Sequence, residues 1–161
     1  MFEPFAKDPD LFLEAARSLA IPCSCFLDGV GMIANVVALL HWYLDDVNWT
    51  GFYFLNGNEL ALGPFQGLPA CDRIPVGKGV CGAAASSGVS IAVEDVHSFP
   101  GHIACDSASL SEIVTPVFSS GHLIGVLDID SPVMGRFSND DITFLNELAK
   151  IVGDAFPSGR S

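Results

Sequence analysis

Three cysteines on separate segments are the first candidates for redox chemistry. Cys71 follows a loop rich in glycine and proline, Cys81 opens a run of small residues ten positions later, and Cys105 lies in a long polar stretch. His102 and Asp106 flank Cys105. A loop thiol beside titratable groups is a better candidate nucleophile than a thiol that fills a core. The sequence therefore favours Cys105 as the attacking atom of a thiol reaction.

Cys81 has two interpretations that the sequence leaves open. A thiol near the N-terminus of a helix feels the positive end of the helix dipole, which predicts a lowered pKa and a reactive thiolate. Cysteine is also a small hydrophobic residue that fills cores without any chemistry. Cys23 and Cys25 lie between two predicted helices and are interpreted as bystander thiols.

A zinc site is an alternative use of the same residues. His97, His102 and Cys105 could join Cys71 or Cys81 around an ion. The sequence contains no Cys-x-x-Cys pair, and the spacing His-x4-His-x2-Cys matches no common structural zinc pattern. We therefore expect neither a metal ion nor another cofactor.

Two carboxylates at the end of a predicted strand indicate a site for a proton or a cation. Asp128 and Asp130 follow an apolar run and lie two residues apart, so both side chains point to one face of the strand. Desolvation and mutual repulsion should raise the pKa of at least one of them, which suits a proton donor. The other interpretation is a strand end that opens into solvent.

Three further residues are placed to complete a small pocket. Glu112 begins the strand that is predicted to pair with the strand of Asp128 and Asp130. Trp49 and Tyr53 share a face of an earlier strand, and they supply an apolar wall with polar tips. Together these residues describe a site for a compact, partly apolar ligand that carries an amine.

The elements that must position these residues are helices at both ends of the chain and hairpins between them. The predicted helices span residues 8–20, about 27–44, about 80–87 and from 138 onward. The predicted strands span residues 48–56, 59–65, 90–94, 112–118 and 122–130. Residues 95–111 show no usable periodicity, and an irregular segment of this length is usually functional or disordered. This arrangement predicts an α+β fold.

Composition restricts the class of protein and its partners. The 161 residues are 50% hydrophobic and 16% charged, which predicts one soluble domain over residues 1–161. A net charge of −12 repels nucleic acids and anionic lipids, so we expect neither as a partner. The apolar stretch 32–44 is too short to span a bilayer, and residues 1–5 lack the basic region of a secretory signal.

Because residues 1–5 lack the basic region of a secretory signal, we expect a reducing, cytoplasmic location. In such a compartment structural disulfides are rare. The odd number of cysteines, five, agrees with thiols that are reactive, ligating or buried.

A series of motifs between residues 48 and 141 carries a more specific prediction. In chain order they are Gly63-Pro-Phe-Gln-Gly, Cys71, Val76-Gly-Lys-Gly-Val-Cys-Gly, Glu94-Asp-Val, Pro100-Gly-His-Ile-Ala-Cys-Asp, Ser111-Glu-Ile-Val and Ile124-Gly-Val-Leu-Asp-Ile-Asp-Ser. The series closely resembles the free methionine-(R)-sulfoxide reductases, which are GAF-domain proteins. General GAF sensors resemble it in fold only, and they lack the three cysteines.

The resemblance implies a GAF fold, in which helices flank a central antiparallel sheet of about six strands. It implies reduction of free L-methionine-(R)-sulfoxide, recycling by thioredoxin and pairing as a homodimer. By position, Cys105 matches the thiol that attacks the sulfoxide, Cys71 the resolving thiol that forms a disulfide with it, and Cys81 a third, auxiliary cysteine. The substrate-pocket residues of the family match Glu112, Asp128, Asp130, Trp49 and Tyr53.

A GAF module that binds a small ligand without converting it is the rival prediction. The presence of both Cys105 and Cys71 distinguishes the reductase prediction from the sensor prediction. A sensor has no reason to place two thiols beside an acidic pocket.

Overall fold

One antiparallel sheet carries helices on both of its faces. The structure, a computed structural model, describes residues 4–101 and 107–157. Its helices are α1 (Pro9–Leu19), α2 (Phe26–Tyr43), α3 (Gly79–Ser87) and α4 (Asn139–Ala155). Its strands are β1 (Trp49–Asn56), β2 (Glu59–Gln66), β3 (Arg73–Pro75), β4 (Ile91–Val93), β5 (Ser111–Ser119) and β6 (His122–Ser131). A 3₁₀ turn, Val96–Ser98, follows β4.

The sheet is built from two hairpins that lie side by side. The strand order is β3-β2-β1-β6-β5-β4, and every neighbouring pair is antiparallel. The hairpins β1–β2 and β5–β6 join because β1 pairs with β6. The predicted α+β class with about six antiparallel strands is confirmed. The sequence missed the edge strand β3, because three residues are too few to show an alternating pattern.

The sheet separates two hydrophobic clusters. The larger cluster lies between the sheet and helices α1, α2 and α4, and it includes Phe52, Ile113 and Ile129. The smaller cluster lies under α3 and includes Val114 and Val126. Because neighbouring strand residues point to opposite faces, this alternation determines which side chains meet α3.

Helix α2 is apolar on almost all sides. Among the described helices it is the one long and apolar enough to cross a membrane by length and composition alone. Core helices of soluble proteins have the same properties. Its buried residues are Gly29, Met32, Ile33, Val36, Val37, Leu39 and Leu40. Most of them belong to the larger cluster, which agrees with the predicted role of α2 as a core helix.

Helix α4 begins and packs as its sequence predicts. The Ser138 hydroxyl accepts a hydrogen bond from the backbone of Asp141, and the Asp141 carboxylate accepts one from the backbone of Ser138. This capping box satisfies backbone donors at the start of the helix. Near the other end, a Cβ added at Gly153 would lie 2.0 Å from the carbonyl oxygen of Phe118. Glycine at this position therefore lets α4 approach β5 closely.

The turn between β5 and β6 sets the register of the two strands that carry the acidic residues. Ser120 and Gly121 both have positive φ, at 49° and 79°. Two such central residues form a type I′ turn, whose twist matches that of the flanking strands. Glycine adopts this conformation without steric penalty, whereas serine is disfavoured in it.

Replacing Ser120 with asparagine should raise the free energy of unfolding by about 0.5–1 kcal/mol, because asparagine adopts positive φ more readily than serine. Chemical denaturation followed by circular dichroism measures the change. Gly121→Ala is the opposite control and should destabilise the protein by about 1 kcal/mol or more. Unchanged stability in both variants would contradict this description of the turn.

Candidate active site

Strand register brings the predicted acidic residues to one face of the sheet. Across β1 and β6, Trp49 pairs with Asp130 and Gly51 pairs with Asp128. On the other side of β6, Glu112 of β5 pairs with Asp130. Directly paired residues in an antiparallel sheet point to the same face. All three carboxyl groups therefore lie on the face that α3 covers.

Aromatic rings form the wall of this face. The rings of Trp49 and Tyr53 stack with centroids 5.9 Å apart, and the rings of Trp49 and Phe65 stack with centroids 5.5 Å apart. The Trp49 indole N–H donates to the carbonyl oxygen of Leu68 at 3.1 Å, and the Tyr53 hydroxyl donates to that of Cys71 at 3.1 Å. The polar tips of both rings thus hold the loop that carries Cys71.

Sequence reasoning missed the role of Gly51 in this wall. A Cβ at Gly51 would lie 2.2 Å from the end of the Trp49 ring. The ring can lie flat over β1 only because residue 51 has no side chain. A glycine inside a strand often marks such a close approach, and that signal could have identified it.

Three buried side chains from three different elements meet beside this wall. Cys81 of α3, Glu112 of β5 and Asp128 of β6 each place one sulfur or oxygen atom within 4.8 Å of the other two. The Cys81 Sγ donates to Glu112 Oε1 at 3.8 Å. Cys81 is 3% exposed and the two carboxyl residues 6% each. Asp130, at the end of β6, is only partly buried.

Burial holds a proton on the two carboxyl groups near neutral pH. It raises the pKa of Asp128 to about 7, although hydrogen bonds from Cys81 and Glu112 act in the opposite direction. Burial, together with the negative charges of Asp128 and Asp130, raises the pKa of Glu112 well above its usual range. The prediction that at least one of the paired aspartates has a raised pKa is confirmed for Asp128. The carboxyl group that lies close to Asp128 in the buried cluster is that of Glu112.

Of the two interpretations of Cys81, the buried thiol is confirmed and the lowered pKa is wrong. Cys81 is the third residue of α3, as predicted. Burial and the negative charges of Asp128 and Glu112 raise the pKa of its thiol well above the usual range. A helix dipole contributes about 0.3–1 kcal/mol, less than one pKa unit, whereas full burial moves a pKa by up to about 3–5 units. Burial therefore outweighs the dipole.

One carboxylate oxygen in this cluster is open to a ligand. Among the described residues, Asp128 Oδ1 is buried and has no hydrogen-bond partner. Leaving a buried acceptor unsatisfied costs about 1–3 kcal/mol. A bound molecule that brings a donor, or an acceptor for a protonated Asp128, would remove this cost.

The structure describes four of the five cysteines. Cys71 is disulfide-bonded. Cys23, Cys25 and Cys81 are free thiols. Cys105, the predicted nucleophile, lies outside the described residues, as do its neighbours His102 and Asp106.

The zinc site that the sequence analysis considered and disfavoured used His97, His102 and Cys105 with Cys71 or Cys81. In the part of the chain that the structure describes, a different group could hold an ion. That group is the buried cluster of Cys81, Glu112 and Asp128. His97 is not part of it; its backbone N–H donates to the Asp95 carboxylate in the 3₁₀ turn. The cluster offers carboxyl groups that carry protons, and it lies beside an aromatic wall and a disulfide-bonded cysteine. It is suited to proton transfer coupled to thiol chemistry.

Protein stability should fall as pH rises from about 5 to 8, because the folded protein holds protons on Asp128 and Glu112 that the unfolded chain releases near pH 4. Asp128→Asn should reduce this fall by an amount on the order of 2 kcal/mol, since the amide does not titrate. Denaturation of both proteins at pH 5 and pH 8 measures the difference. Parallel stability profiles would contradict the raised pKa of Asp128.

Comparison with known proteins places the chain in a family. The GAF domain family matches residues 35–156. Free methionine-R-sulfoxide reductase of Escherichia coli is 56% identical over 72% of this chain and 70% of its own length.

Two solved structures share both fold and sequence with it. The reduced form of fRMsr of Staphylococcus aureus is 46% identical, with a TM-score of 0.87 over 98% of this chain and 100% of that one. Free methionine-R-sulfoxide reductase of Neisseria meningitidis, in complex with its substrate, is 42% identical, with a TM-score of 0.84 over 97% of this chain and 93% of that one. The chain therefore belongs to the GAF-domain family and, within it, to the free methionine-R-sulfoxide reductases.

Proposed function

We propose that this chain reduces free L-methionine-(R)-sulfoxide to L-methionine through a cysteine sulfenic acid and a disulfide. The observation that carries the proposal is the buried pair Glu112 and Asp128, which holds a proton near neutral pH. Trp49 and Tyr53 lie on the same face, and the Tyr53 hydroxyl binds the backbone of the disulfide-bonded Cys71. A proton source and a disulfide-bonded cysteine thus both adjoin one aromatic wall.

The carboxyl pair activates the sulfoxide. A sulfoxide oxygen is a poor leaving group until it is protonated or strongly hydrogen-bonded. A carboxylic acid kept neutral by burial can donate to that oxygen at neutral pH. Asp128 Oδ1, buried and without a partner among the described residues, is the atom we assign to this contact. Glu112 supports it by donating to Asp128.

The thiols carry the two electrons of the reduction. The Cys105 thiolate attacks the sulfoxide sulfur, the S–O bond of the substrate breaks, and the oxygen passes to Cys105 as a sulfenic acid while methionine leaves. The Cys71 thiol then condenses with the sulfenic acid, which forms the S–S bond and releases water. The substrate sulfur gains two electrons, and the two cysteine sulfurs lose one each.

The assignment of Cys105 as the partner of Cys71 has support from the other cysteines. Cys71 is disulfide-bonded, whereas Cys23, Cys25 and Cys81 are free. Cys105 is the remaining cysteine of the sequence. We further propose that thioredoxin reduces this disulfide and returns the protein to its dithiol form.

The substrate is a free amino acid. The partly buried Asp130, at the end of β6, is placed to bind its α-ammonium group, and the rings of Trp49 and Phe65 can pack on its methyl and methylene groups. A methionine residue inside a peptide lacks that ammonium group. A site that binds this ammonium group therefore selects the free sulfoxide.

The protein functions as a homodimer in this proposal. The family resemblance is the main support. A second is an apolar groove of about 970 Å³ that is bordered by the exposed Phe26 and Leu27 at the start of α2 and by residues of β1, β2 and β6. A second copy of the chain is the occupant that we assign to this groove.

A cytoplasmic location and a single domain complete the proposal. A dithiol that cycles with thioredoxin requires a reducing compartment. The helices α1 and α4, near opposite ends of the chain, pack into one cluster through Phe12 and Leu148, which supports one domain over residues 1–161.

The protein should release methionine from the R epimer of free methionine sulfoxide in the presence of dithiothreitol, and none from the S epimer. Chromatography of the free amino acids after incubation measures this. A peptide that contains methionine sulfoxide is the matched control and should stay unchanged. A folded protein that binds the R epimer without converting it would instead be a ligand-binding GAF module.

Cys71→Ser should limit the protein to about one turnover when thioredoxin is the reductant, because the sulfenic acid on Cys105 then has no resolving thiol. Quantifying methionine released per protein molecule measures this. Cys25→Ser changes a free thiol outside the site and should cycle normally. Wild-type kinetics of Cys71→Ser with thioredoxin would exclude Cys71 as the resolving thiol.

A further inference from the structure

We propose that Cys81 is a positioning residue whose neutral thiol holds the Glu112–Asp128 pair by hydrogen bonds, and that it takes no part in disulfide exchange. This inference rests on the proposed function. The reduction and resolution steps described above use Cys105 and Cys71, and this inference assigns a role to the third cysteine, Cys81.

Helix α3 fixes Cys81 over the carboxyl pair. Two glycines shape the start of this helix: Gly79 has a positive φ of 61°, and a Cβ at Gly82 would lie 2.4 Å from the carbonyl oxygen of Pro75, so the helix packs closely against the end of β3. The helix then packs into the smaller cluster through Val80 and Ala84. Its small residues bring the backbone near enough to the sheet for a side chain as short as cysteine to reach β5 and β6.

The thiol contacts both carboxyl groups. Its Sγ donates to Glu112 Oε1 at 3.8 Å, and Asp128 also accepts a hydrogen bond from it. A thiol has one proton to donate, so these two contacts share it or alternate. In either case the donor stabilises an ionised carboxyl group and opposes the effect of burial on the pair.

The surroundings of Cys81 are unfavourable for a resolving thiol, which must react as a thiolate. The titratable groups that face it are Glu112 of β5, Asp128 and Asp130 of β6, and Tyr53 of β1. Each of these is neutral or negative, so a thiolate here would gain no positive partner among them. Burial of the sulfur adds to this cost.

This role has a specific consequence for pH dependence. By favouring the ionised form, the thiol keeps the Asp128 proton transferable near neutral pH. Without the thiol, the pair would bind its proton more tightly. The rate of the first reduction step would then fall, and its alkaline limb would move to higher pH.

The test compares Cys81→Ala and Cys81→Ser in a single turnover: each protein is first reduced to its dithiol form, the reductant is removed, and the methionine released on adding the sulfoxide is measured. Cys81→Ala should slow this first step about three- to tenfold and raise its alkaline pKa by about 0.5–1 unit, the size of one lost hydrogen bond. Cys81→Ser retains a donor and should stay near the wild-type rate and pH profile. In Cys81→Ala, the substrate concentration that gives half of the maximal single-turnover rate should change less than the maximal rate itself.

Val80→Ala is the matched control. Val80 is the neighbouring residue of α3, lies in the same cluster and is 2% exposed. Its truncation lowers stability without removing a hydrogen bond to the carboxyl pair, so the pH profile of the first step should not move. A shift as large as that of Cys81→Ala would overturn the specific role of the thiol.

Disulfide mapping of the wild-type protein provides a second test that needs no variant of Cys81. After the pre-reduced protein, freed of reductant, has reacted with the sulfoxide, peptide mass spectrometry should find Cys71 in a disulfide and Cys81 as a free thiol. A disulfide that contains Cys81 would overturn the proposal, as would an unchanged first step in Cys81→Ala. Wild-type protein that releases no methionine would instead contradict the reductase function itself.

Discussion

Burial of two carboxyl groups side by side is the interaction on which the site depends. Glu112 and Asp128 lie under α3 with almost no access to solvent. Two charges this close in a low-dielectric interior repel each other, so the pair keeps a proton at a pH where an exposed carboxyl group has lost it. Burying these two groups lowers the stability of the fold, and it also produces a carboxylic acid that can donate a proton at neutral pH.

The sheet and α3 make this burial possible. Pairing of β1, β5 and β6 places the carboxyl groups on one face, and the small residues of α3 let the helix close over them. Gly51 leaves room for Trp49 to lie flat against the same face. The ring of Trp49 and the hydroxyl of Tyr53 in turn hold the loop of Cys71. The positions of the carboxyl pair and of the Cys71 loop therefore both depend on strand β1.

Membership of the reductase family gives these parts a shared purpose. GAF domains elsewhere bind ligands on a similar scaffold, and fold alone does not determine chemistry. Here the acidic pair lies beside a cysteine that is already in a disulfide. Reduction of a sulfoxide needs both a proton for the oxygen and electrons from sulfur, and the proposed function takes the proton from the acidic pair and the electrons from the cysteines.

Much of the fold is determined by the sequence alone, because apolar periodicity and turn residues act locally. The capping box at Ser138, the turn at Gly121 and the shared face of Asp128 and Asp130 all follow from spacing. The three-residue strand β3 has no such pattern and forms only because β2 offers it an edge. Local reasoning left Cys81 open between a reactive thiolate at a helix N-terminus and a buried thiol. Tertiary packing decides between them, because it buries the thiol against two carboxyl groups and raises its pKa.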